Sequence, residues 1–245
     1  MKQIAIIGAS SGIGRRVAEE FARMGWKVAV AARREAPLRE LRDMYPDNVV
    51  YHTIDVNSPD AVERFYHLIE LNNGIDILLL ASGVGFQNPD LDLAKEMKIL
   101  QTNVMGFTRI VTAAYKYFRD TCNNAPGRIA AITSVASTKG IGTAAAYSAS
   151  KRFQRTYLDA IEQLAHRQAA KVKITDIRPG FISTPLLDAE KDYPLQMSLD
   201  YATPLIVHAI LAGKRVATID WRWRLITALW STIPQPLWAR MPVGL

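Results

Sequence analysis

A single α/β domain with a doubly wound parallel sheet is the architecture this sequence predicts, on three observations. Short apolar runs alternate with amphipathic helical stretches from residue 3 to about residue 219. Several of those runs are continuous Val, Ile, Leu and Ala, the pattern a sheet covered on both faces requires. The 245 residues contain no internal repeat, low-complexity segment or linker, and one α/β domain commonly reaches that length.

The elements follow in order. A first strand over residues 3–7 runs directly into Gly8-Ala9-Ser10-Ser11-Gly12-Ile13-Gly14, and a helix follows over 13–24. Glycines are needed where the chain turns sharply off a strand, where backbone approaches a pyrophosphate, and where helix packs closely on strand. The helix amino terminus adds unpaired N–H groups and a partial positive charge for phosphates. A second strand over 27–32 ends in Ala32-Arg33-Arg34. Dinucleotide folds place an acid near this point to accept from the adenosine ribose, or a base to accommodate a 2′-phosphate. Here Ala32 stands in the acid's place and two arginines follow, so Arg33 leads and Arg34 is second as 2′-phosphate ligand. NADP(H) rather than NAD(H) is the cofactor this pattern predicts.

A third strand over 49–54 precedes Asp55-Val56 and a helix over 59–71. An Asp at a strand end is by itself more often a cap or turn residue. A fourth strand over 76–81 leads into Ala81-Ser82-Gly83, and a long helical stretch over 93–119 carries Asn103. The fifth strand, 128–133, ends at Ser134, and a helix over 147–168 opens with Tyr147-Ser-Ala-Ser-Lys151. A sixth strand over 171–177 gives way to Arg178-Pro179-Gly180-Phe181-Ile182-Ser183-Thr184, and a seventh spans 215–219.

Chemistry concentrates on Tyr147, Lys151 and Ser134. Tyr147 and Lys151 are four apart, hence on one face of a helix, a turn from each other. A tyrosine hydroxyl titrating near ~10 is a poor base at neutral pH, and a nearby ammonium favours its phenolate. It then serves as proton donor and acceptor for a carbonyl/alcohol pair, while Ser134 donates to the substrate oxygen as charge gathers there. A lone Tyr-x-x-x-Lys pair is common; its conjunction with the glycine loop, Ser134 and this order of elements is not. From residue 3 to about 219 the chain resembles the short-chain dehydrogenase/reductase family.

The resemblance implies a Rossmann-type domain whose seven-stranded parallel sheet has the order 3-2-1-4-5-6-7, with helices on both faces. It implies an NADP(H)-dependent oxidoreductase that reduces a ketone or aldehyde by hydride transfer, with Tyr147 giving the proton. Asn103 matches the asparagine that completes the family's catalytic group with Ser134, Tyr147 and Lys151, shaping its helix and holding a water that leads to the lysine. Lys151 would also bind the nicotinamide ribose. Asp55 and Val56 would lie beside the adenine. Pro179 and Gly180 would shape the nicotinamide pocket, Ile182 would offer backbone contacts, and Thr184 would reach the carboxamide or phosphate. Where the family usually has Asn-Asn-Ala-Gly this chain reads Leu80-Ala81-Ser82-Gly83, losing the asparagines that brace the sheet but keeping small residues beside the cofactor. The family pairs through the faces carried by 93–119 and 147–168, so a homodimer or homotetramer is expected.

Composition excludes other classes. The net charge of +7 is scattered among acids, with no basic run interleaved with aromatics before the tail, so no nucleic-acid partner is expected. A single cysteine, Cys122, leaves no intrachain disulfide and no multi-cysteine metal site. It reads as an ordinary thiol near a helix end, and no metal is expected. The amino terminus carries no secretory or transit signal, and no window approaches the ~18 apolar residues of a membrane span. A cytoplasmic protein, membrane-peripheral if the tail makes it so, is the expectation.

Two segments stand apart. Residues 185–201 fall in the family's variable substrate loop and mix Leu186, Leu187, Tyr193, Leu195 and Met197 with Asp188, Glu190 and Asp192. This fits a lid over a medium-to-large, partly apolar substrate, or a loop that merely covers the core. Residues 220–245 form a tail holding four of the five tryptophans, with Arg222, Arg224 and Arg240. As a helix, 221–233 would pack over the substrate mouth or a dimer interface, or lie at a membrane surface. The membrane reading would make a lipid-linked ketone the substrate, with 3-ketosphinganine reductase-like chemistry as one family option. The rival from another class is an NADP(H)-binding sensor or scaffold without turnover, in which the tyrosine or lysine would be missing.

Overall fold

The computed structural model describes residues 2–121, 125–187 and 191–243. Cys122, Asp188 and Glu190 lie outside the described residues. Seven strands, β1 (Gln3–Ile7), β2 (Lys27–Ala32), β3 (Val49–Thr53), β4 (Ile77–Leu80), β5 (Gly127–Ile132), β6 (Val172–Pro179) and β7 (Val216–Ile219), form one sheet. Its order is β3-β2-β1-β4-β5-β6-β7, as the resemblance implied, and every adjacent pair is parallel, as the alternating pattern predicted.

Strand side chains alternate between two cores. In β1, Ile4 and Ile6 join the cluster on one face, and Ala5 and Ile7 the cluster on the other. The first core receives Val17 and Phe21 from α1 (Gly12–Arg23), Leu38 and Leu41 from α2 (Glu35–Met44) and Ile206 from α7 (Leu199–Leu211). The second receives Phe65 from α3 (Ala61–Leu71), Phe118 from α5 (Phe107–Thr121) and Leu158 from α6 (Ala145–Arg167). Burial of both faces explains why the strands read as unbroken apolar runs.

Helices α2 and α7 were not legible as such. α2 carries only two buried anchors in ten residues, too few for a clear period. α7 is apolar almost throughout and has Pro204 inside it. The expected long helix over 93–119 is instead α4 (Leu93–Leu100), a π-helical turn (Gln101–Gly106) and α5. After β7 the chain forms α8 (Trp221–Thr232) and the short α9 (Gln235–Trp238). Asp220 caps α8 by accepting from the Arg222 N–H at 2.7 Å. No helix among the described residues is long and apolar enough to cross a membrane.

Candidate active site

One cavity of about 440 Å³ opens at the carboxyl ends of the strands. Its nucleotide-sized end is backbone. Gly8 has φ +97°, and a Cβ there would stand 2.5 Å from the Ser82 nitrogen. A Cβ on Gly14 would meet the Gly8 carbonyl oxygen at 2.3 Å, so α1 starts in direct contact with the loop. Gly12, at φ +57°, faces the Thr184 side chain. A side chain on Gly8 or Gly14 would push β1, α1 and the β4 end apart, and the positive φ of Gly8 and Gly12 favours glycine at both. The first turn of α1 holds no acidic residue, so nothing cancels its dipole.

Arg33 and Arg34 line the same cavity beyond β2. Arg34 reaches back over the loop and donates to the hydroxyls of Ser10 and Ser11, both at 3.1 Å. Asp55 accepts from the Asn57 N–H at 3.0 Å, the turn role its position suggested, and also lines the cavity with Val56. Ile13, Ala81, Ser82, Gly83, Pro179, Gly180, Ile182 and Thr184 complete this part of the wall. The close-packed cradle, the uncancelled helix end and the paired arginines fit a dinucleotide. They would hold its pyrophosphate at Gly8–Gly14, with Arg33 and Arg34 at the end beyond β2.

At the other end stand Ser134, Tyr147 and Lys151, all on the cavity wall. Ser134 follows β5 in extended backbone, and its hydroxyl accepts from the Ala136 N–H at 3.1 Å. Tyr147 and Lys151 project from the first turns of α6, the ammonium 5.7 Å from the phenol ring centre. Burial raises the Tyr147 pKa, and a hydrogen bond with Ser134 opposes the rise. Burial also pulls the Lys151 ammonium down from 10.5 to about 8, against the attraction of Asp176.

Asn103 does not touch the cavity; it braces it. At the centre of the π turn its amide accepts from the Val84 N–H at 2.9 Å and donates to the Val84 carbonyl at 2.8 Å. Its amide also donates to the Ser150 hydroxyl at 3.1 Å. The segment after β4, which lacks the family's asparagines, is thus clamped from the far side. π turns inside α-helices recur at functional sites.

Two residues that sequence reasoning missed complete the floor. Lys151 donates to the Ile132 carbonyl at 3.0 Å and to the Gln154 side-chain oxygen at 3.2 Å. The Gln154 amide then donates to the Asn103 backbone carbonyl at 2.9 Å, linking lysine to π turn through one buried side chain. Asp176, inside β6, is fully buried and held by Thr133 at 2.5 Å and Arg178 at 2.6 Å. An acid within an apolar strand was its available signal, because a buried carboxylate needs a partner. A glutamine three residues after the lysine gave no signal beyond helical spacing.

The remaining wall is apolar and aromatic. Phe86, Phe181, Leu186, Leu187 and Tyr193 line it, with the Phe181 and Tyr193 rings 4.8 Å apart. The substrate segment is pinned to the turn after β6, where Met197 donates to Phe181 and Ser183 donates to Met197, both at 2.9 Å. Lys191 reaches across to Gln87 at 2.8 Å. Behind the wall Trp223 packs on Phe181 at 5.7 Å, its indole nitrogen where a Gly180 Cβ would be, 2.1 Å away. Among the described residues no cluster of His, Cys, Asp or Glu could hold a metal ion.

Residues 2–194 match the short chain dehydrogenase family, and the chain belongs to it. An uncharacterized oxidoreductase of Myxococcus xanthus is 30% identical over 240 residues, covering 95% of this chain and 92% of its own. A short chain dehydrogenase/reductase from Burkholderia phymatum, solved with NAD, superposes with a TM-score of 0.84 at 19% identity. It covers 100% of this chain and 97% of its own. A short chain dehydrogenase from Burkholderia cenocepacia, solved with NADP, superposes with a TM-score of 0.82 at 19% identity, covering 100% of both chains. This chain is therefore an oxidoreductase of the short-chain dehydrogenase type with a Rossmann fold.

Proposed function

We propose that this protein is an NADP(H)-dependent reductase of a ketone or aldehyde carried on a medium-to-large, partly apolar substrate. The observation that carries the reading is that one cavity spans both ends of the site. It joins a glycine cradle flanked by Arg33 and Arg34 to a wall presenting Ser134, Tyr147 and Lys151. One related structure holds NAD and another NADP, so the fold leaves that choice to residues after β2. There Ala32 offers no acceptor for a ribose hydroxyl, and two guanidinia stand ready for a phosphate.

A bound nicotinamide supplies the hydride. The chain's own residues do the rest. Ser134 donates a hydrogen bond to the substrate oxygen, and Tyr147 delivers the proton as negative charge develops there. Lys151, fixed by Ile132 and Gln154, holds positive charge beside the phenol ring and lowers the cost of its deprotonation. Phe86, Phe181 and Tyr193 exclude water and accept an apolar substrate body. Pairing into a homo-oligomer through α5 and α6 is part of the proposal; Phe153 and Leu164 of α6 are exposed.

Fluorescence titration with NADPH and NADH, run beside a ketone panel of increasing chain length, tests the reading. NADPH should bind at least about tenfold more tightly than NADH, and Arg33→Ala and Arg34→Ala should each erase most of that preference. Tyr147→Phe should lose turnover by at least about a hundredfold while still binding NADPH. Near-normal turnover in that variant sinks the catalytic assignment; equal affinity for both nucleotides sinks the cofactor assignment.

A further inference from the structure

The tail beyond β7 has two faces, and the fold uses only one. Trp223, Trp230 and Trp238 turn inward and form an aromatic chain that starts at Phe181 of the cavity wall. Successive ring centres lie 5.7, 6.1 and 5.3 Å apart. Two polar contacts lock this face: the Trp238 indole donates to the Gly140 carbonyl at 2.7 Å, and Lys139 donates to the Ile233 carbonyl at 2.8 Å.

The outer face is apolar without a packing reason. Trp221, Leu225 and Leu229 recur every fourth residue, so they form one stripe along α8. They are 66%, 62% and 66% exposed, and Leu237 of α9 adds another exposed side chain at 57%. At 100° per residue, Arg222 and Arg224 flank the stripe on either side. From Trp221 to Val243 the chain has three arginines, Arg222, Arg224 and Arg240, and no acidic residue. Arg222 is paired with Asp220 at 3.0 Å. Arg224 and Arg240 are exposed and form no ion pair among the described residues.

We propose that this outer face docks on an anionic lipid bilayer, with Trp221, Leu225, Leu229 and Leu237 entering the interface and Arg224 and Arg240 meeting headgroup phosphates. Charge decides against a second copy of the chain. A two-fold interface is self-complementary, so tail against tail would bring the arginines of both copies together with no acid between them. An anionic surface supplies the opposite charge, and a bilayer interface accepts tryptophan and leucine beside arginine. The inner face of the docked helix lies one ring from Phe181, so the membrane and the cavity share a wall. Docking rests on the tail alone and stands or falls apart from the reductase reading. If both hold, the carbonyl substrate is one with an acyl or other lipid body.

The test is co-sedimentation of the full chain with phosphatidylcholine vesicles, with and without phosphatidylglycerol, and sedimentation velocity without lipid. Wild type should bind the phosphatidylglycerol vesicles, and bind phosphatidylcholine alone at least about tenfold less. Leu225→Gln/Leu229→Gln, both outside the packed face, should lose binding while keeping the wild-type melting temperature and NADPH affinity. Arg224→Glu/Arg240→Glu should weaken binding about tenfold or more on the anionic vesicles only. The proposal is overturned by absent binding to anionic vesicles, by equal binding to both vesicle types, or by wild-type binding in the leucine variant. It is also overturned if the leucine variant instead lowers the mass in solution, which would assign the stripe to a second copy. NADPH titration on the same samples keeps failure of the nucleotide reading separate from failure of docking.

Discussion

Lys151 is almost wholly buried, yet its ammonium has two fixed acceptors, the Ile132 carbonyl and Gln154. Burial wins over Asp176, so the proton is lost near pH 8 rather than 10.5. Below about 8 the group is charged and, in the proposed mechanism, assists Tyr147; above it the neutral amine would not. kcat/KM for NADPH, which reports the free protein, should therefore fall as pH rises through about 8. Gln154→Leu removes an acceptor that favours the charged form, so the falling limb should move to lower pH, by about half a unit or more. A loss equal at every pH, with the limb unmoved, would leave Gln154 as packing only. Tyr147, Lys151 and Ser134 could be singled out from the sequence by their spacing, and all three line the cavity. Gln154 could not, because its meaning depends on a backbone carbonyl fifty-one residues away.

At the scale of elements, the strands and the glycine loop were readable, since apolar run length and glycine placement are local properties. Helix α2 was not, because two leucines anchor it. The π turn was not, because the contacts that accompany it, the Asn103 amide with Val84, join residues nineteen apart in the chain. The order of the sheet came from resemblance rather than from the residues. The turn after β6 joins two elements in a way a single substitution can probe. A methyl on Gly180 would enter the Trp223 indole, so Gly180→Ala should lower stability by roughly 1–3 kcal/mol through overpacking. Trp223→Leu also costs stability on its own, yet the double variant should lose clearly less than the sum of the two. Thermal melts of the four proteins measure that coupling; strict additivity would mean that the turn and α8 do not press on each other.

The whole molecule is one sheet separating two cores. Ile210 of α7 lies in one and Ile110 of α5 in the other, both fully buried. Truncating either to Val should cost about 0.5–1.5 kcal/mol. Because the sheet stands between them, the two losses should add within about 0.5 kcal/mol in urea denaturation. A larger interaction would mean that strain crosses the sheet. Opposite cores at one strand were foreseeable from the unbroken apolar runs; which helix covers which face was not, since that depends on the hand of each crossover.

The wedge of Trp223 behind Gly180 also bears on how the protein is made. Every group of the glycine cradle, from Gly8 to Gly83, leaves the ribosome long before the tail does. Chains are built from the amino terminus at roughly 5–20 residues per second. The loop after β1 and the end of β4 are therefore synthesised well before the turn after β6 that closes over them, while Phe181 and the aromatic wall wait longer still, for Trp223 to emerge and close behind them. A ribosome-bound chain halted before residue 220 would carry the glycine loop but leave the aromatic wall without its backing, so the two ends of the cavity are finished at different times during synthesis.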